Sequence, residues 1–141
     1  IYTRFLSPST GGTTRAILGK RSTSNGAGYA LTVSGTSIRA TLDDGSPSVS
    51  ASLAGNYGDS VFHDALLVAN RITNQLSITT ELGSASASIA LIVSPSNTVT
   101  FTIFIDHWDS TAQVGTLMSY LAIWVGIALS PSDLTTIITP V

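Results

Sequence analysis

The sequence predicts an all-β fold, antiparallel strands stacked as a sandwich. Three observations carry that reading. Apolar and polar residues alternate with period two over five to seven positions again and again, as a strand with one buried and one solvated face requires. Gly, Pro, Asn, Asp and Ser cluster between those runs at the spacing of short strands. No stretch of 10–15 residues with helical spacing separates them, which excludes a parallel α/β sheet.

Taken in order, Tyr29, Leu31 and Val33 form the first clear run, behind the turn residues 24–28. Ser34-Gly35-Thr36 links it to Ile38, Ala40 and Leu42. Asp43-Asp44-Gly45-Ser46-Pro47 reads as a turn before Val49, Ala51 and Leu53. Residues 54–59 break the chain again, and a turn at 70–74 precedes Leu76, Ile78, Thr80 and Leu82. Ser94-Pro95-Ser96-Asn97 leads into Val99, Phe101, Ile103 and Ile105. Residues 120–129 are read as a last strand, because Ile123, Val125 and Ile127 are β-branched and Gly126 weakens a helix; Trp124 is placed in its core. Ser130-Pro131-Ser132-Asp133, with Leu134, Ile137 and Ile138 at i, i+3 and i+4, predicts one short C-terminal helical turn: a hydroxyl cap, proline at the first position and a carboxylate near the positive dipole end.

Composition bounds the function. With 141 residues the chain is one domain. Charged residues are 10% of it, against about 25% in an ordinary domain. The 21 Ser and 19 Thr take their place, while Lys20 is the only lysine and Glu81 the only glutamate. A formal charge of −2 gives no electrostatic grip on nucleic acid. Zero cysteines exclude disulfides and thiolate metal sites. The most apolar run, 117–129, is 13 residues, short of the roughly 20 that a membrane-spanning helix needs. The sequence opens on Ile1 with no basic start and apolar core, so no signal peptide is visible and the chain reads as processed or cut from something longer.

The order of the pieces resembles the laminin G-like, or concanavalin A-like lectin/glucanase, jelly rolls. Residues 17–21, 28–33 and 38–45 look like that fold's successive middle strands, and 61–68 (VFHDALLV) sits where the family often has a Trp-His-His-Val-Ala strand. An outward Asp-Gly pair usual in the family is absent; Glu81-Leu82-Gly83 holds its place. The ending, 118–124 followed by ALSPSDL at 128–134, is similar to the family's last strand and helical turn. The resemblance covers nearly all of residues 1–138 and implies a single domain over 1–141, an antiparallel jelly-roll sandwich that lacks one or two N-terminal strands, either lost or supplied by another chain, or that is excised from a longer chain.

Catalytic patterns are sparse. The superfamily's β-glucanases use two glutamates around an aspartate, and retaining hydrolysis needs paired carboxyls about 5–5.5 Å apart; here Glu81 stands between Thr79 and Gly83. No Gly-x-Ser-x-Gly elbow is present. On an alternating strand His63 and Asp64 point to opposite faces, which suits a hydrogen-bonded pair at the edge of the core. The expectation is therefore a protein that is not an enzyme.

Two loops are the candidate binding sites. In Asp106-His107-Trp108-Asp109, Trp108 offers a flat face for a sugar ring, the carboxylates of Asp106 and Asp109 accept hydroxyl protons beside His107, and the same two carboxylates could hold Ca²⁺ with backbone oxygens. No other cofactor is expected. Asn56 and Tyr57, in the loop 56–59, form a second rim with an exposed aromatic.

Lysine-poor β surfaces lack the charged residues that keep edge strands from pairing. That predicts a homo-oligomer, or neighbouring subunits of a larger assembly, at an extracellular or virion surface. The expected role is a non-catalytic binding or adhesion module contacting glycan or protein through its end loops. The alternative is a structural particle component, a capsid-decoration, fibre or tail protein, with no small ligand.

Overall fold

The computed structural model describes residues 1–8, 13–21, 26–98, 100–104 and 115–126. Ten strands run through them: β1 (Tyr2–Leu6), β2 (Arg15–Arg21), β3 (Gly28–Ser34), β4 (Ser37–Asp43), β5 (Ser48–Ala54), β6 (Phe62–Asn70), β7 (Gln75–Thr80), β8 (Gly83–Ser88), β9 (Thr102–Ile103) and β10 (Leu117–Ala122). They form two five-stranded sheets, ordered β10-β1-β6-β7-β8 and β5-β4-β3-β2-β9. Every pairing is antiparallel. The fold is the predicted antiparallel jelly-roll sandwich.

The alternation explains the packing. Phe5, Leu31, Ile38, Ala40, Ala65, Leu67 and Ile78 point between the sheets and are buried, removing apolar surface from water at about 25 cal/mol per Å². β2 departs from strict alternation. Its register against β3 shifts between Ala16 and Leu18, and the extra residue lets both Ile17 and Leu18 sit fully buried. At the start of β3, Gly28 has φ +139°, and a Cβ there would lie 1.7 Å from the Lys20 carbonyl oxygen. Only glycine allows β2 and β3 to pair at that point.

A buried ion pair anchors the second sheet. Arg21 Nη2 donates to Asp43 Oδ2 at 2.8 Å, and the Asp43 side chain is fully shielded from solvent. The other Asp43 oxygen accepts from the Gly45 amide, so one carboxylate on β4 holds both β2, across the intervening β3, and its own turn.

Three expectations are corrected. The strand expected across 120–129 lies at Leu117–Ala122, in register with β1; residues 123–126 leave the sheet, and Trp124 is half-buried rather than in the core between the sheets. The strand expected across 99–105 is reduced, among the described residues, to Thr102–Ile103, where Phe104 turns away at φ +56°. Val99 and Ile105 lie outside the described residues, as does the predicted helical turn at 130–138.

Candidate functional site

β6 runs the length of its sheet and separates two ends of the sandwich with different chemistry. At its start, His63 faces inward against Phe5 and Tyr57, with its ring 5.1 Å from that of Tyr57. Its Nδ1 lies 2.5 Å from Glu81 Oε1 and its Nε2 lies 2.9 Å from Asp59 Oδ1. Only an imidazolium donates to both carboxylates at once. Burial pulls the His63 pKa down, but the hydrogen bonds and charges of Glu81 and Asp59 outweigh it and the net shift is upward. Asp59 is likewise drawn two ways: its desolvation raises the pKa, and the bond from His63 and the Val61 amide carry it below its ordinary value. Glu81 Oε2 also accepts from the Asp64 amide. Asp64 itself lies on the opposite face, where it accepts from the Tyr2 hydroxyl at 2.6 Å. Burial, then that bond, push the Tyr2 hydroxyl well above its ordinary pKa.

This polar end has little free chemistry. Each carboxylate among the described residues accepts a hydrogen bond from the fold itself. Both His63 nitrogens are engaged by carboxylates, which leaves neither to take a proton from a serine. No cluster of three His, Asp or Glu side chains among the described residues is placed to hold a metal ion.

The other end of β6 is apolar and open. A cleft of about 530 Å³ lies between the sheets, inside the range of ligand-binding clefts. Leu67 and Leu76 wall it from one sheet, Tyr29 and Leu42 from the other, while Trp124 and Val125 close a side. Ala69 continues the inward row of Ala65 and Leu67, yet it is exposed and lines the cleft. Trp124 and Val68 pack against the buried pair Tyr2 and Leu66. Burial raises the Tyr29 pKa, so its hydroxyl stays neutral.

Large apolar side chains at this end are turned to solvent: Ile72, 95% exposed, and Val125, 92%, line the cleft, and Val93, 86% exposed, lies on the loop that Arg71 holds. Their placement is fixed by the fold. Arg71 donates to the carbonyls of Ile92 and Val93, and Asp44 Oδ2 accepts from the Val93 amide at 2.8 Å. Two charged groups thus hold Val93 outward from either side of the loop, and among the described residues Arg71 is the only charged side chain lining the cleft. Large apolar side chains left exposed beside an apolar cleft mark an interaction site.

The residues singled out in the sequence fall elsewhere. Asp106, His107, Trp108 and Asp109 lie outside the described residues. Asn56 is exposed, and its side chain accepts from the Gly58 amide in a turn. The exposed aromatic expected at Tyr57 is corrected: Tyr57 is fully buried, its hydroxyl 3.0 Å from Thr80 Oγ1. Sequence reasoning missed Ala69, Ile72, Val93 and Val125. An isoleucine inside the turn Arg71-Ile72-Thr73-Asn74 was the available signal, since a turn gives such a side chain nothing to pack on.

Among solved structures the chain is similar to the mouse laminin alpha1 chain, domains LG4-5. The match has a TM-score of 0.57 at 13% identity, and it covers 79% of this chain and 30% of that one. The fold is laminin G-like. No family model matches the sequence, and no curated protein matches it.

Proposed function

We propose that this domain is a non-catalytic binding module of an extracellular or particle-surface protein, and that it seats apolar side chains of a protein partner in the cleft between β6 and Trp124. The observation that carries this reading is the pair Ile72 and Val125, which line an apolar cleft yet stand in water, with Val93 exposed on the loop that Arg71 holds. Exposing such groups costs solvation free energy that a partner's burial recovers. The engagement of the described carboxylates and of His63 within the fold supports a role without chemistry. The laminin G-like fold agrees with binding, by analogy of fold only.

Panning a displayed peptide library tests it. Enriched peptides should carry large apolar residues and lose about tenfold or more in affinity for the Ala69→Trp variant, in which an indole fills the cleft. Binding confined to sugars on a glycan array, and abolished by Trp108→Ala, would replace this reading with glycan contact through the loop 106–109.

A further inference from the structure

We infer that the domain forms a two-fold symmetric dimer by pairing β8 of one copy antiparallel to β8 of another. This surface lies on a flank of the sandwich, apart from the cleft. β8 is the last strand of its sheet among the described residues. Its backbone directions follow from its turn and its exit: Thr80 pairs with Gly83 across the β7–β8 turn, and the Ile89 amide donates back to Asn74 at 2.9 Å. In an antiparallel ladder successive residues alternate the side to which they bond. Gly83, Ala85 and Ala87 therefore bond toward β7, and the amides and carbonyls of Ser84, Ser86 and Ser88 point away from the sheet.

Such an edge is a template for another strand, and ordinary guards are missing from it. β8 reads Gly83-Ser84-Ala85-Ser86-Ala87-Ser88, with no charge and no proline. β5, the edge of the other sheet, reads Ser48-Val49-Ser50-Ala51-Ser52-Leu53-Ala54 and also carries no charge. It stacks beside β8, where Leu53 approaches Gly83. Neither of these two strands sets a charge against a second copy.

The sequence of β8 selects that second copy as the occupant. Ser84 to Ser88 reads the same in both directions, and a two-fold axis through Ser86 pairs Ser86 with its own equivalent and Ser84 with Ser88. These are the residues whose backbone groups point outward, so each pair exchanges both amide–carbonyl bonds. An isologous contact requires such self-complementarity. The exposed serine side chains meet serines, Ala85 and Ala87 meet each other, and two sheets join into one.

Sedimentation equilibrium over a concentration series tests the dimer. The wild-type protein should sediment at twice the monomer mass at high concentration. Ser86→Lys, which sets two ammonium groups against each other at the axis, should sediment as a monomer. Ser86→Pro should do the same, since it deletes an outward amide without removing a bond to β7. Ser86→Ala should remain a dimer, because the backbone makes the contact. Unchanged far-ultraviolet circular dichroism verifies folding of each variant. A wild type that stays monomeric throughout the series, or a dimer that persists in folded Ser86→Lys and Ser86→Pro, would overturn the inference.

Discussion

His63 shows how one side chain ties three segments together: the loop before β6 through Asp59, the β7–β8 turn through Glu81, and the core through Phe5 and Tyr57. Its raised folded pKa contributes stability that is present below the ordinary histidine value of 6.5 and lost as pH climbs through the folded value. Asp59 behaves oppositely. Its lowered pKa contributes stability above 3.8 that disappears on acidification. The latch is thus strongest between those two values, and urea unfolding across pH should show stability falling on the alkaline side. His63→Gln should flatten that slope; an unchanged slope would assign it to another group. The Arg21–Asp43 pair gives a second test. Arg21→Met leaves a buried carboxylate uncompensated and should cost about 3–5 kcal/mol in chemical denaturation, with much of the loss recovered when Asp43→Leu is added. Alternation alone indicated that His63 and Asp64 face opposite ways, as they do. The same rule could not place Tyr57, because a loop has no period to say which side chain turns inward.

The elements written in strong apolar alternation, β3, β4, β5 and β7, were legible because their contrast is high. β8 was not: serine and alanine differ too little to mark a buried face, and its place in the sheet depends on the turn at Glu81-Leu82. The bulge in β2 was equally hidden, since Ile17 and Leu18 are both apolar and only the partner strand shows that both enter the core. Ile123 and Val125 are β-branched yet lie outside the sheet, where Trp124 instead packs against Tyr2 and Leu66; propensity yields to tertiary contacts. Two measurements belong at this scale. Gly28→Ala should destabilise the protein by more than about 1 kcal/mol, because its Cβ collides with the Lys20 backbone, and a stability equal to wild type would show that β2 and β3 can separate there at no cost. Asn97 donates to the carbonyls of Lys20 and Ala27, pinning the segment between β8 and β9 to the β2–β3 end. Asn97→Ala should speed limited proteolysis within residues 89–98 while leaving the strands protected.

Across the molecule, the sandwich class followed from the period-two pattern, because it depends on the chain's average character. The cleft did not, because it depends on which segments meet in space: Tyr29, Ala69, Pro95 and Trp124 come from separate parts of the sequence and share no motif. The polar and apolar ends of β6 define the central claim, that this domain binds through its apolar end and keeps its ionisable groups for holding the fold. The ¹H–¹⁵N NMR spectrum of the labelled protein, titrated with a cleft-binding apolar peptide from the library selection, tests it most directly. Shifts concentrated at Ala69, Ile72, Val93, Trp124 and Val125, with Asp59, His63 and Glu81 undisturbed, are the predicted result. Shifts centred instead on Asp59, His63 and Glu81, with the cleft silent, would contradict it.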